Sequence, residues 1–282
     1  METTDKKRTY LYIIFTILSS IVFGIVYHFN RSPIMLIIMM FSPAICSILV
    51  RIITKEGFEK LYVKFNFKGN LKWYFFAWFL TPMIAYFGAI LYFLLFKNDF
   101  DPLNSKLAIA EGITSVSAYA KTLLYMIPFA IIINPITNLL QCFGEELGWR
   151  GYLLPKLTKE FSKLKAANIT GFVWGIWHVP IILSGYNYGQ DAPILGSLAM
   201  IVFCIIVGIF SAYLFYKVES IWVPVIFHAA INGIDLWQPA QLFMSKTSNP
   251  FIGPNLTGII GGCGFIIGAI IIIYKIKAEQ RR

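Results

Sequence analysis

The sequence predicts an all-α, polytopic membrane protein of about eight transmembrane helices with a polar cavity between them. Two observations carry that expectation, and the distribution of charge adds a third. Of the 282 residues 57% are hydrophobic and 13% charged, with a mean hydropathy of +0.68. An ordinary soluble domain carries about 25% charged residues. The apolar residues also fall in runs of about 20, the length a helix needs to cross a hydrocarbon layer about 30 Å thick. The net charge of +10 would suggest nucleic acid in a soluble protein, but here it follows the loops, so no nucleic-acid partner is expected.

Hydropathy and the Pro, Gly and charge breaks place the spans at roughly 10–28, 34–53, 72–96, 121–143 (continuing to about 153), 166–183, 194–216, 220–237 and 257–275. Lys6, Lys7 and Arg8 precede the first run without a small-x-small cleavage site after it, so an uncleaved first helix is expected. Of the 24 Lys and Arg residues, 19 then fall on one side; Arg31, Lys97, Lys106, Lys121 and Lys246 fall on the other. The positive-inside rule makes the crowded side cytoplasmic, with both termini there. From Glu56 to Trp73 Lys alternates with Leu, Tyr, Val and Phe, the pattern of an interfacial elbow whose lysines meet anionic lipid. In the last span Gly258, Gly262, Gly264 and Gly268 offer two small-x-x-x-small spacings for close helix approach. Cys46, Cys142, Cys204 and Cys263 stand singly in apolar stretches and read as small buried hydrophobes.

Ionisable groups within spans are costly, which makes each a functional candidate. They gather in three places: Glu145, Glu146 and Arg150 after the fourth apolar run; Trp174 and His178 in the fifth; His228, Asn232 and Asp235 in the seventh. At 100° per residue Glu146 and Arg150 lie about 40° apart, close enough for an i,i+4 ion pair. Glu145 is then left without a partner in its own helix, and a partly desolvated carboxylate suits general-base work. His228 and Asn232 share a face, and Asp235 lies about 20° off it, so this stripe must face protein or water. Two chemistries fit. In one, Glu145 and His178 polarise a water while His228 and Asn232 donate to an oxyanion. In the other, Glu145, His178 and His228 hold a divalent metal such as zinc, although no H-E-x-x-H motif is present.

The ordered set E-E-x-x-x-R, W-x-x-x-H and H-x-x-x-N over about 120–237 resembles the CPBP family. This is the CaaX protease and bacteriocin-processing, or Abi, group that includes type II CaaX prenyl endopeptidases and lysostaphin-resistance-like proteins. The resemblance implies an intramembrane endopeptidase with a catalytic cavity open toward the cytoplasmic face and a membrane-associated protein or peptide as substrate. It gives Glu145 and His178 the water, His228 and Asn232 the oxyanion, and Glu146 and Arg150 supporting places. It leaves open a bound metal, for which the family has been described both ways. Trp174 stands where many relatives have Phe and is expected to pack beside His178. The Lys/Ile-rich composition and short loops suggest a prokaryote, which points away from a prenyl substrate. The domain layout implied is 1–119 for the N-terminal helices and elbow, 120–237 for the catalytic core, and 238–282 for the last helix and basic tail. The alternative from another class is a non-enzymatic immunity or scaffold protein of the same fold. The topology has a direct test: alkaline phosphatase fused after Lys277 should be inactive, whereas green fluorescent protein fused there should fluoresce.

Overall fold

Glycines at one helix crossing set how closely the central pair of helices packs. A Cβ on Gly171 would stand 2.8 Å from Ile205 Cα, and one on Gly175 would stand 2.5 Å from Ile201 Cα. With no side chain at either position the two backbones meet directly, the membrane solution to packing where the hydrophobic effect gives no drive between helices.

The structure, a computed structural model, describes residues 3–280; Arg281 and Arg282, counted above among the basic residues, lie outside the described residues. The helices are α1 Thr3–Asn30, α2 Pro33–Met40, α3 Ser42–Ile53, α4 Leu71–Phe75, α5 Thr81–Leu95, α6 Lys106–Ala110, α7 Val116–Gly148, α8 Leu154–Thr158, α9 Lys163–Leu183, α10 Pro193–Val218, α11 Trp222–Asp235, α12 Pro239–Phe243 and α13 Cys263–Gln280. Two π-turns, Phe76–Leu80 and Trp149–Leu153, join α4 to α5 and α7 to α8. The described residues are all-helical apart from turns and loops, as the sequence predicts.

Among the described residues six helical segments are long and apolar enough to cross a membrane: Thr4–Asn30, Pro33–Ile53, Leu71–Leu95, Val116–Thr158, Lys163–Leu183 and Pro193–Val218. The seventh expected span is shorter than anticipated, and the eighth is displaced toward the C terminus. α11 has 14 residues, about 21 Å at 1.5 Å per residue, against a hydrocarbon core of about 30 Å. The last span begins as helix only at Cys263, because Gly253 (φ +127°), Pro254 and the following glycines hold residues 249–262 in turns. Gly258 and Gly262 therefore lie before the helix, and only Gly264 and Gly268 serve close packing within it, against Ile84 and Phe210.

The chain divides into two units. The first comprises Met1–Trp73, Leu140–Val225 and Gly268–Arg282. In it α9 lies along α10, and Gly24 of α1 meets Pro180 of α9. A charged layer closes one end. Asp5 reaches Lys159 (2.7 Å) and Lys156 (3.4 Å), Glu56 pairs with Lys156 and lies 3.8 Å from Arg8, and Tyr152 donates to Glu56 (3.0 Å). Three of the basic segments expected on a common side thus share one end of this unit. Lys217 meets Glu279 at 2.5 Å, which brings the ends of α10 and α13 together.

The second unit comprises Tyr74–Leu139 and Ile226–Ile267. Here Trp78 Nε1 donates to the Ile131 carbonyl (2.8 Å), and Leu107, Ala108, Tyr119 and Leu242 form a small buried cluster. Asn134 Nδ2 donates to the Gly233 carbonyl at 3.0 Å, which fastens α7 to α11 within this unit.

The glycine crossing predicts an asymmetry on α9 and α10. Gly171→Ala should lower the unfolding temperature in detergent, at a cost of about 1–3 kcal/mol for a forced methyl group. Leu198→Ala, at a residue 56% exposed, should leave it nearly unchanged.

Candidate active site

The chain around Glu145 is wrapped by protein on every side: each residue from Gly144 to Leu154 is buried. The reason is local. Gly144 and Gly148 let α7 approach its neighbours, since a Cβ on Gly144 would stand 2.9 Å from the Met40 carbonyl oxygen. The π-turn at Trp149–Leu153 then continues the helix with a wider repeat, a feature frequent at functional sites.

The expected ion pair forms. Arg150 Nη1 donates to Glu146 Oε1 at 2.8 Å, and both side chains are fully buried. Arg150 Nε and Nη2 find no hydrogen-bond partner among the described residues; the guanidinium lies over the Trp174 ring, 4.8 Å from its centre. A flat, weakly hydrated cation against an aromatic face offsets part of its desolvation.

Glu145 differs from expectation, because it does have a partner in its own helical run. Trp149 Nε1, four residues on, donates to Glu145 Oε2 at 3.3 Å. Trp174 Nε1 on α9 donates to the same oxygen at 2.7 Å. Two indole N–H groups, which can only donate, therefore converge on one carboxylate oxygen.

Trp174 does more than fill space beside His178. Its carbonyl oxygen lies 3.0 Å from His178 Nδ1. A carbonyl only accepts, so this contact assigns a proton to Nδ1, and the neutral form of that tautomer carries its lone pair on Nε2. One residue thus bonds Glu145 through its indole, His178 through its backbone and Arg150 through its ring. Trp177 stands edge-on to His178, centroids 4.7 Å apart, and Cys204 Sγ lies 3.7 Å from Nδ1.

Glu145, Glu146, Arg150, Trp174 and His178 are brought together within the first unit. His228 and Asn232 lie on α11 in the second unit, where His228 is buried and Asn232 half-buried. Asp235 accepts from Gln238 Nε2 (2.9 Å), and Gln238 accepts from Asn255 Nδ2 (2.9 Å), so the end of the stripe is tied into a polar chain. Among the described residues no three His, Cys, Asp or Glu side chains are grouped to hold a metal ion. As donor types, the Glu145 carboxylate and the His178 Nε2 lone pair fit water activation and metal ligation alike.

Sequence reasoning missed Trp149, although the signal was present: it stands four residues after Glu145, as Arg150 does after Glu146. It also missed the donor role of Trp174, which depends on how α7 and α9 are brought together. The proximity of Cys204 left no signal in the sequence.

Residues 120–234 match the sequence model of a family described as type II CAAX prenyl endopeptidase Rce1-like. The CAAX prenyl protease 2 of Methanococcus maripaludis is 31% identical over 143 residues, covering 49% of this chain and 48% of the relative. The chain thus spans about half the length of that relative. All the candidate residues from Glu145 to Asn232 fall within the matched stretch.

The buried pair and the indole bonds predict graded losses. Arg150→Met leaves Glu146 charged and buried without its cation, and should cost on the order of 3–5 kcal/mol of stability. Trp174→Phe keeps a ring beside His178 and Arg150 but removes the N–H, and should cost about 1–3 kcal/mol. Thermal unfolding in detergent, with folded yield by gel filtration, would show the order.

Proposed function

From the match of residues 120–234 to the type II CAAX prenyl endopeptidase family model, we propose that this chain is an intramembrane endopeptidase. It hydrolyses a peptide bond of a membrane-associated protein or peptide near the cytoplasmic face of the cell membrane, and both its termini are cytoplasmic. The observation that supports the reading most is the Trp174 bridge, which joins a buried carboxylate, Glu145, to His178 with its lone pair on Nε2.

In the proposed reaction Glu145, with His178, takes a proton from water as the oxygen attacks the scissile carbonyl carbon. The C–O bond forms, the C–N bond breaks, and the proton passes to the leaving amine. Oriented N–H donors on Glu145 Oε2 restrict how the carboxylate turns, which serves a base that must meet its water in one geometry. The resemblance assigns oxyanion stabilisation to His228 and Asn232, and both residue types carry N–H donors suited to that work. Glu146 and Arg150 touch no reacting group in this scheme and hold the helix that presents Glu145.

The substrate class follows the names of the family and the relative. The family is described as a CAAX prenyl endopeptidase and the relative is named a CAAX prenyl protease, which brings back a class that composition alone had set aside. A CaaX-type C terminus carrying an isoprenoid is therefore the first substrate to offer, with bacteriocin processing or immunity as the second. If a divalent metal such as zinc is held, Glu145, His178 and His228 are the ligands the sequence offers, and it would supply a polarised water.

The test compares peptide termini in the membrane proteomes of cells expressing the wild type and Glu145→Ala at equal levels, followed by assay of purified protein on a farnesylated and an unmodified peptide. Glu145→Ala and His178→Ala should each lower hydrolysis by about 10²–10⁴-fold while leaving a folded protein, and His228→Ala should do likewise. Phenanthroline inhibition reversed by zinc would assign the metal-ligand role. Function that falls only in step with protein abundance would instead support a non-enzymatic scaffold.

A further inference from the structure

Residues 54–70 form neither helix nor strand, yet they follow a defined path across the first unit. The Ile221 N–H donates to the Tyr62 carbonyl (3.0 Å), Asn66 Nδ2 to the Val218 carbonyl (3.0 Å), and Trp222 Nε1 to the Val63 carbonyl (2.8 Å). Arg51 Nη1 holds the Gly57 carbonyl at 3.0 Å. The strap is therefore fixed at its start and along its middle, against the turn that leads from α10 into α11.

Its outer surface combines two chemistries. Trp222, Phe65 and Phe67 stack in a ladder, with centroids 4.5 Å and 5.0 Å apart and planes within 11° and 18°. Phe58, Val63, Phe65, Phe67 and Leu71 are all exposed. Lys55, Lys60, Lys64 and Lys68, with Lys72 just beyond the strap in α4, are exposed as well, and none forms an ion pair among the described residues. Glu56 turns inward to Lys156, Arg8 and Arg51, which leaves Glu59 as the outward acid of the strap.

Each feature constrains what covers this surface. Irregular backbone cannot face hydrocarbon, because nothing there satisfies its polar groups. A ladder with Phe65 and Phe67 exposed and Trp222 half-buried is poorly suited to bulk water. The headgroup layer accepts both, and lysines at that depth find phosphates.

We propose that the strap is a docking surface for anionic phospholipid, with the Trp222–Phe65–Phe67 ladder seated among the headgroups and glycerol backbones and the five lysines on the phosphates. This inference stands on the strap alone and does not depend on the hydrolytic reading.

The test uses the purified full chain in a neutral detergent, titrated with brominated phosphatidylglycerol or brominated phosphatidylcholine, with tryptophan quenching as the readout. The part of the signal lost in Trp222→Phe reports the strap. Phosphatidylglycerol should bind there at least about fivefold more tightly than phosphatidylcholine at low salt, and the preference should shrink as salt rises. Changing the four strap lysines and Lys72 to Gln should abolish the preference, changing them to Arg should keep it, and changing Lys97, Lys106, Lys121, Lys246 and Lys277 to Gln should leave it intact. Equal unfolding temperatures in phosphatidylcholine would show that the variants are folded. Equal binding of the two lipids by the wild type, persistence of the preference in the Gln variant, or its loss in the control set would overturn the proposal. Oligoglutamate that displaces phosphatidylglycerol from the wild type would assign the surface to acidic proteins instead.

Discussion

The buried pair of Glu146 and Arg150 is the constraint on which the first unit is organised. Two charges with no exposure survive only if the structure keeps them together, since either one alone is far costlier than the pair. Their separation of four residues makes the pair possible only while the chain stays helical across Gly148 into the π-turn. The pair therefore constrains the conformation of the segment that contains Glu145. Two adjacent glutamates end with different chemical environments: one neutralised by a cation, the other held by neutral donors.

Wrapping that segment requires helices to approach from several directions, which accounts for the glycines. Gly144 lies against the turn between α2 and α3, Gly148 against Pro43, and Gly171 and Gly175 let α10 close on α9. Close approach of α9 brings Trp174 within reach of both Glu145 and Arg150. The order of dependence runs from small residues, through short interhelical distances, to an indole N–H placed 2.7 Å from a carboxylate. Replacing a glycine at the crossing would thus disturb the site without touching any group in it.

Much of this was legible in the sequence, for identifiable reasons. The helical class and most span boundaries followed from runs of apolar residues, and the Glu146–Arg150 pair followed from helical periodicity. The shortened α11 and the turns over 249–262 were not legible, because hydropathy measures whether residues tolerate lipid and not whether they are helical there. The Gly258 and Gly262 spacing misled for the same reason: the pattern presupposes a helix that Gly253 and Pro254 prevent. Trp149 could have been found by applying to Glu145 the arithmetic applied to Glu146. Trp174 as a donor could not, since nothing in the local sequence fixes which face of α9 meets α7.

Trp174 also shows why a conservative description of a residue can conceal its chemistry. By volume, Phe and Trp are near substitutes beside a histidine. Here the indole nitrogen bonds Glu145, the ring supports Arg150, and the backbone carbonyl sets the His178 tautomer. The carbonyl would persist with any side chain at this position, and a phenyl ring would keep some of the cation–π attraction. The N–H alone is specific to Trp, and it couples the orientation of the carboxylate to the helix that carries the histidine. With Phe at the corresponding position, a chain would have to orient its glutamate by the i+4 indole or by another donor. In this chain Trp149 supplies a second N–H to the same oxygen, so a phenyl ring at position 174 would leave one of the two indole bonds in place.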